Sequence, residues 1–388
     1  MIFGRKHSRN FYLVFDLGTA SISAALFSVD SARRLETKPH IEEVYRSGFD
    51  VSQGLSAHYL LRHTLRGMRE ILERSSKKIG VPPREILIGL SAPFYFSQTV
   101  KLRLDRPNAR APVTKEEGSA LIKKAESEVT ASTHVSARGS IRFFSQTPVR
   151  THVNGYPVKN PIGTAGRRLE VLVRLEAIST LFELQLAQTI HRLGTAIPTR
   201  IVSVPYAQTR ALGLALTMTG DLLLVDIGSE VTELSLIRDG ALEKVISLPH
   251  GSGALVRAVA EALAVNFQDA LFLLRRLSET ALEAAIAARV TSLVRKFITS
   301  WRELVAGELK VCLQDGFAPT RIFITGGGSL LLQYKESFAE VSVVQPKSLQ
   351  DFFENASAFG GPEDFTLACL VLLMQADSHL PALIDAYA

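Results

Sequence analysis

Cysteine is scarce in this sequence of 388 residues, since Cys312 and Cys369 are the only two. They lie far apart and neither belongs to a Cys-x-x-Cys pair, which favours a reducing compartment over a disulfide framework. The nine histidines show no HExxH motif and no clustered ligand spacing, so no zinc site is indicated. The apolar run Phe365–Met374 spans about ten residues, whereas a membrane-spanning helix needs roughly twenty. We therefore expect a cytoplasmic protein, either fully soluble or in peripheral contact with the inner face of the cell membrane.

An excess of charge of one sign is almost missing as well. The 44 Lys and Arg against 38 Asp and Glu give a net charge of +6. No stripe of basic residues with interleaved aromatics is present, so we expect no nucleic-acid partner; a mild attraction to anionic lipid is equally compatible with the charge. With 46% hydrophobic and 21% charged residues, the composition is that of folded domains, and the length allows two or three.

Two similar stretches organise the chain, Tyr12–Asp30 and Leu222–Gly240. Each joins an apolar strand to an alternating strand through an Asp-x-Gly turn, at Asp16 and at Asp226. A glycine there lets the backbone bend tightly and approach a ligand, and a carboxylate at a strand tip can hold a hydrated cation. One such turn is commonly an ordinary hairpin, but two copies about two hundred residues apart predict a duplicated core.

A third glycine-bearing turn follows the predicted strand Arg321–Thr325, which continues into Gly326–Gly328. A strand-to-helix junction of this kind offers free backbone N–H groups and the positive end of a helix dipole. The three turns in this order indicate a nucleotide cleft between two related domains.

Apolar spacing and breaker residues predict the other elements. We expect helices over residues 57–78, 115–129, 179–193, 207–218 and 281–313, and one long helix from about residue 253 to 277. We expect strands over residues 85–92, 141–149, 168–175 and 199–204.

The order of the three turns resembles the actin, sugar-kinase and Hsp70 superfamily, in which two phosphate hairpins precede an adenosine-binding Gly-Gly loop. Within it the chain looks most like FtsA, the bacterial division actin homologue, and PilM of type IV pili shares that architecture as the close competitor. Three stretches carry the narrower resemblance: Arg84–Ser91, Val113–Ala125 and Val158–Val173.

The resemblance implies an α/β, actin-like (ribonuclease H-like) fold with duplicated domains around a nucleotide cleft and an FtsA-type 1C (SHS2-like) insert. Between Leu277 and Ala281 there is no room for the β-rich part of the family's 2B subdomain, so we expect a reduced, helical 2B subdomain. We expect the first domain over residues 1–104 and 197–218, the insert over 105–196, the second domain over 219–376 and a C-terminal tail over 377–388.

The resemblance also implies ATP and magnesium as ligands. Asp16 and Asp226 would face the metal ion. The phosphates and the adenosine would lie against Gly18, Thr19, Gly228, Ser229, Thr232, Gly326, Gly327 and Gly328.

Several departures from the family pattern lead us to expect a degenerate cleft. Ser229 and Glu230 replace consecutive glycines, and a Glu230 carboxylate in the site would repel a polyphosphate. Leu271 and Leu274 stand where relatives carry an acidic and a basic residue on the helix that grips the nucleoside. The stretch 203–208 supplies no carboxylate to activate water. We therefore predict no catalytic residue, weak or lost ATP binding, and slow or absent turnover.

Three functions fit these expectations. The first is an FtsA-like scaffold that links an FtsZ-like tail to the membrane in cell division, with self-association as an open question. The second is a PilM-like platform that binds a PilN-like peptide in the insert. The third is a small-molecule kinase. The basic amphipathic anchor of FtsA relatives is not expected in His379–Ala388, which has no Lys or Arg. For Met1–Asn10 we expect a disordered start, with a weak N-terminal membrane anchor as the alternative.

Overall fold

The structure is a computed structural model that describes residues 9–376, apart from 31–36, 53–55, 133–139, 194–195, 217, 279–281, 315, 332–333 and 335–339. Residues 1–8, which hold most of the proposed N-terminal anchor, and the predicted tail 377–388 lie outside the described residues. In the part of the chain that is described, no helix combines the length and the apolar character needed to cross a membrane.

The first lobe is built on a five-stranded sheet with the order β3-β2-β1-β4-β9. Strands β1, β2 and β3 pair antiparallel, while β4 and β9 continue the sheet in parallel with β1. The strand bounds are Arg9–Leu17 (β1), Ser21–Asp30 (β2), His40–Gly48 (β3), Ile86–Leu90 (β4) and Thr199–Ser203 (β9).

The second lobe repeats this topology in the order β12-β11-β10-β13-β14. Strand β10 again has an antiparallel hairpin partner on one side and a parallel partner on the other. The repetition confirms the duplicated α/β core that the two Asp-x-Gly stretches predict. The strand bounds are Asp221–Ile227 (β10), Thr232–Arg238 (β11), Ala241–Leu248 (β12), Arg321–Thr325 (β13) and Ser342–Val343 (β14).

Two helices form the core between the lobes, α4 (Val204–Ala215) and α8 (Phe365–Ala376). Helix α8 packs on β1, β2 and β4 of the first sheet, and α4 lies between α8 and strands β11 and β12 of the second. Every residue from Phe365 to Met374 is buried, which explains the apolar run as a core helix. Burying a large apolar side chain contributes about 1.5 to 3 kcal/mol, so this helix ties the lobes together.

The outer face of each sheet is covered by its own helices. Helices α1 (Ala57–Ile79) and α3 (Thr180–His191) cover the first sheet, and α5 (Ser252–Leu263), α6 (Phe267–Ser278) and α7 (Ala284–Gln314) cover the second. The described part of residues 249–320 contains no strand. The reduced, helical 2B subdomain stays a prediction.

The single long helix predicted to end near Leu277 is wrong, because the structure has two helices there. Ala264 ends α5 in the left-handed region at φ +54°. Asn266 then begins α6, since its side-chain oxygen accepts a hydrogen bond from the N–H of Asp269 at 2.9 Å. Asparagine is a favoured N-cap residue, so Asn266 is the local signal for this break.

The third sheet has the order β5-β8-β6-β7 and packs against α2 (Lys115–Ala131). Its strands are Phe96–Asp105 (β5), Ile141–Val153 (β6), Tyr156–Pro157 (β7) and Arg168–Ser179 (β8). Thr114 and Glu117 form a capping box at the start of α2. Buried Arg106 donates to the backbone oxygens of Ala111, Pro112 and Gly166 and pairs with Glu117, which fixes the entry to this sheet.

Candidate nucleotide cleft

A cavity of about 280 Å³ lies between the lobes, where the carboxyl ends of β1 and β10 meet. Parallel strands beside each of them, β4 and β13, end at the same edge, which is where open α/β sheets bind ligands. Eight of the ten predicted site residues line the cavity: Asp16, Gly18, Thr19, Asp226, Gly228, Ser229, Gly326 and Gly327.

The other two predicted residues lie behind the cavity and serve the fold. The Thr232 hydroxyl donates to the backbone oxygen of His250 at 2.7 Å and accepts from Trp301 Nε1 at 3.3 Å. Gly328 is buried against Ile227, where an added Cβ would collide with the isoleucine side chain. Direct contact of either residue with a ligand would need the surrounding structure to move.

Gly326 brings the third turn directly against the second hairpin. Its φ of +83° is in the left-handed region, and a Cβ built there would collide with Asp226 Oδ1 and approach the Ile227 oxygen to 2.7 Å. Only glycine meets both requirements. The turn therefore reaches the carboxylate at the tip of β10 because it has no side chain.

Asp16 and Asp226 are half-buried at the base of the cavity. Burial, and after it the neighbouring Asp226 carboxylate, raise the pKa of Asp16 to about 7. Burial also raises the pKa of Asp226, although a hydrogen bond from Gln208 Nε2 to its Oδ2, at 2.6 Å, opposes that shift. Two carboxylates with raised pKa values at one point are a site prepared for a cation.

Gln208 is the last residue of the stretch 203–208, which contains no carboxylate to activate water. Its side chain is fully buried, and besides Asp226 it donates to Thr366 Oγ1 at 3.0 Å. An amide cannot take a proton from water at neutral pH. Gln208 therefore orients Asp226 and supplies no general base.

Glu233 is a third carboxylate of the cleft, and the sequence analysis missed it. It lines the cavity from β11 and is only 4% exposed. Its carboxylate accepts hydrogen bonds across the lobes, from the Tyr95 hydroxyl at 2.8 Å and from the Ala92 N–H at 3.3 Å. Burial, followed by the Asp226 carboxylate, raises the pKa of Glu233 to about 8. The alternating sequence of β11 marks Glu233 as a solvent-facing position, whereas the structure buries both faces of this strand from residue 232 to 237, so no sequence signal identifies it.

The raised pKa of Glu233 predicts a stability that falls with pH. The folded protein binds this proton more tightly than the unfolded chain, whose glutamate pKa is near 4.5. The stabilisation is complete below that value and is lost as the pH rises through about 8. We expect the free energy of unfolding, from urea titrations, to fall by about 1 to 2 kcal/mol between pH 6 and pH 9.

Glu233→Gln is the matched control for this effect, because it removes the titration and retains an acceptor for Tyr95. The variant should show a smaller decrease in stability between pH 6 and pH 9, and the part that remains belongs to Asp16, whose pKa is raised to about 7. An unchanged decrease would assign the effect to other groups.

Glu230 does not point into the cavity, and the expected repulsion of phosphate is wrong in this respect. Both its carboxylate oxygens pair with Arg257 at 2.8 Å, and Arg257 also donates to the Val51 oxygen at 2.9 Å. The backbone N–H of Glu230 donates to Thr19 Oγ1 at 3.2 Å, which joins the two hairpins directly. Arg257 thus neutralises the one acidic departure in the second hairpin.

Arg257→Ala should therefore weaken the binding of an anionic nucleotide. The change leaves the Glu230 carboxylate unpaired at the rim of the cleft, and we expect about a tenfold loss of affinity in calorimetric titrations. Adding Glu230→Gly removes that charge and should restore most of the loss. If the double variant binds as weakly as the single one, Arg257 acts in some way other than by neutralising Glu230.

The end of the cavity formed by α6 is apolar with one cation. Leu274 is fully buried in the second lobe, whereas Leu271, Phe267 and Arg275 line the cavity from α6. A basic residue, Arg275, thus reaches the cavity from this helix, one position after Leu274. An apolar wall with few polar groups suits a flat heterocyclic base.

The donor set of the cleft fits a magnesium ion carried by phosphates. Asp16 and Asp226 are oxygen donors at one point of the cavity, and Mg²⁺ prefers a few carboxylates together with phosphate and water oxygens. Among the described residues, no group of three or more His, Cys, Asp or Glu side chains is placed to hold a metal ion by itself.

Comparisons with solved structures agree with this architecture. The chain is similar over 94% of its length to 98% of a chain of the PilM–PilN type IV pilus biogenesis complex, with a TM-score of 0.66 and 16% sequence identity. It is also similar over 93% of its length to 89% of the ethanolamine utilization protein EutJ from Carboxydothermus hydrogenoformans, with a TM-score of 0.50 and 15% identity. The fold is actin-like. No protein-family model matches the sequence, and no curated protein matches it significantly.

At these identities the similarity establishes the actin-like fold. The α/β, duplicated architecture predicted from the sequence is confirmed. The narrower resemblance to FtsA stays a prediction.

Proposed function

We propose that this protein is a nucleotide-binding platform of the PilM kind, which binds Mg-ATP between its lobes and a peptide of a PilN-like membrane partner on its third sheet. The observation that carries the proposal is the whole-chain similarity to a chain of the PilM–PilN complex, together with a cleft whose carboxylates suit a phosphate-bound cation. In this proposal nucleotide acts as a conformational latch and turnover is slow or absent.

A groove of about 730 Å³ is the candidate peptide site. It lies between α2, β6, the loop 157–162 and the hairpin turn between β11 and β12, and most of its wall is apolar. The groove thus adjoins both the third sheet and the second lobe, where Arg150 pairs with Glu243 at 2.7 Å. A peptide in the groove would contact both the third sheet and the second lobe. Binding of the partner would thereby be linked to closure of the cleft. One wall of this groove belongs to the proposed insert, residues 105–196, and the opposite wall belongs to the proposed second domain.

The second candidate is the FtsA-like scaffold of cell division, which one local feature favours. The Lys159–Gly163 loop matches the FtsA pattern. It is anchored by Gly163, which has φ +86° and whose N–H donates to the Val113 oxygen at 2.9 Å. In that reading the partner is an FtsZ-like tail, the protein self-associates, and membrane contact is peripheral.

A titration with two labelled peptides tests the proposal and separates the candidates. One is the cytoplasmic N-terminal segment of the PilN-like protein of the same organism, and the other is the C-terminal tail of its FtsZ, each with and without Mg-ATP. We expect the PilN-like peptide to bind and Ile162→Asp, at the groove wall, to weaken it at least about tenfold. Binding of the FtsZ tail alone would overturn the PilM-like reading in favour of the division scaffold.

A further inference from the structure

The positive charge of this protein is concentrated on one helix. Helix α1, 23 residues long, carries four arginines and two lysines against Glu70 and Glu73. Its net charge is therefore +4, whereas the whole chain of 388 residues has a net charge of +6. A single helix that carries most of the excess charge produces a local positive potential, which the net charge of the whole chain does not reveal.

Three of these cations have no ion pair or hydrogen-bond partner for their side chains among the described residues. Arg62, Arg69 and Lys77 are exposed and unpaired, whereas Arg66 pairs with Glu70 at 2.8 Å and Lys78 pairs with Glu43 at 2.7 Å. The unpaired three share one face of the helix, since they are seven and eight residues apart. Arg66 lies on the same face, and Glu73 is the one acidic residue within it.

Exposed leucines lie on the neighbouring helix. Helix α3 packs beside α1 on the same face of the first sheet. Leu181 is 62% exposed and Leu184 is 36% exposed on its outer side, and Arg192 follows at its C-terminal end, also exposed. Because both helices cover the same face of the first sheet, their outer sides both face away from the core. The result is a surface that combines unpaired cations with large apolar side chains.

We propose that the outer face of α1 and α3 is a docking surface for an anionic lipid bilayer. Basic clusters on a helix are attracted by the negative potential of anionic headgroups, by about fivefold in binding for each Lys or Arg near the surface. Leucines beside them enter the boundary between headgroups and acyl chains. A phosphate ion or a nucleic acid would satisfy the cations and leave Leu181 and Leu184 in water, so the lipid surface is the better match.

This face also leaves the rest of the molecule accessible. It lies on the side of the first sheet opposite α4 and α8, which form the core between the lobes. The nucleotide cavity and the groove beside the third sheet are lined by residues of other elements. A molecule held at a bilayer by α1 and α3 therefore keeps both sites open.

Vesicle sedimentation of the full chain tests the proposal. Vesicles of phosphatidylcholine with about a third phosphatidylglycerol should pellet the protein at 0.1 M salt, pure phosphatidylcholine should not, and 0.5 M salt should release it. The variant Arg62→Gln/Arg69→Gln/Lys77→Gln should lower the partition coefficient about a hundredfold. Leu181→Asn/Leu184→Asn should lower it about tenfold without a change of charge.

The matched control is Arg110→Gln/Lys115→Gln/Lys123→Gln, which removes three exposed cations beside the third sheet. It should bind anionic vesicles as the parent does, and circular dichroism should show both triple variants folded. Equal binding to both vesicle types, or an equal loss in the control, would overturn the proposal. A parent protein that binds duplex DNA through α1 and ignores the vesicles would overturn it too. None of these outcomes depends on nucleotide or peptide binding, so the proposed function is tested separately.

Discussion

Asp226→Asn is expected to bind Mg-ATP at least about a hundredfold more weakly than the parent protein, and yet to be the more stable protein without ligand. The two effects have one cause. The carboxylate that attracts the cation costs free energy when the cleft holds none, because burial opposes its charge and raises its pKa. Asparagine removes the charge and retains an oxygen that accepts from Gln208 Nε2.

Calorimetric titration with Mg-ATP and urea unfolding at pH 8 measure the two effects on the same samples. We expect a gain of about 1 kcal/mol in the free energy of unfolding beside the loss of affinity. Asp351→Asn, an exposed carboxylate far along the chain, removes the same charge and should alter neither quantity. A variant that still binds within a few-fold of the parent would exclude Asp226 from the site. A parent without measurable affinity would overturn nucleotide binding itself.

Gly326→Ala is expected to have the largest effect on stability of any single methyl group added to the cleft. The residue needs φ +83°, and the new Cβ would collide with Asp226 Oδ1 and the Ile227 backbone. Left-handed strain and overpacking each cost about 1 to 3 kcal/mol, so we expect a loss of about 3 to 5 kcal/mol. Since Asp226 must move to make room, nucleotide affinity should fall together with stability.

Gly307→Ala provides the matched comparison in α7. Nothing lies within 4 Å of a Cβ at that position, and alanine is favoured over glycine inside a helix by about 0.5 to 1 kcal/mol. The same chemical change should therefore stabilise the protein at residue 307 and destabilise it at residue 326. Urea unfolding of both variants decides the matter, and a loss at Gly326 no larger than 1 kcal/mol would show that the turn adapts.

The parts of the cleft that the sequence predicts are those formed by contiguous residues. An Asp-x-Gly turn between two strands is a local pattern, and its recurrence at Asp16 and Asp226 is enough to predict the duplicated sheets and the cavity between them. The bounds of β13, Arg321–Thr325, follow in the same way from a short apolar run before glycines.

The parts that the sequence does not predict depend on partners that are distant along the chain. Arg257 is 27 residues from Glu230, and Tyr95 is 138 residues from Glu233, so no spacing rule connects them. Helix α6 at the wall of the cavity shows a second limit. A shift of one residue between Leu274 and Arg275 decides whether this helix places a cation at the cavity, and helix boundaries inferred from apolar spacing are less exact than that.

The late position of the core helix α8 in the chain affects how the protein folds during synthesis. A ribosome makes the chain from the N-terminus, and domains commonly fold as they emerge. Here the first lobe lacks the helix that covers one face of its sheet until residues 365–376 have been made. A nascent chain that has completed all five strands of the first sheet, more than 150 residues earlier, still exposes the apolar surface that α8 will cover. The two lobes therefore pack together, and the cleft takes its shape, only after residues 365–376 have been made.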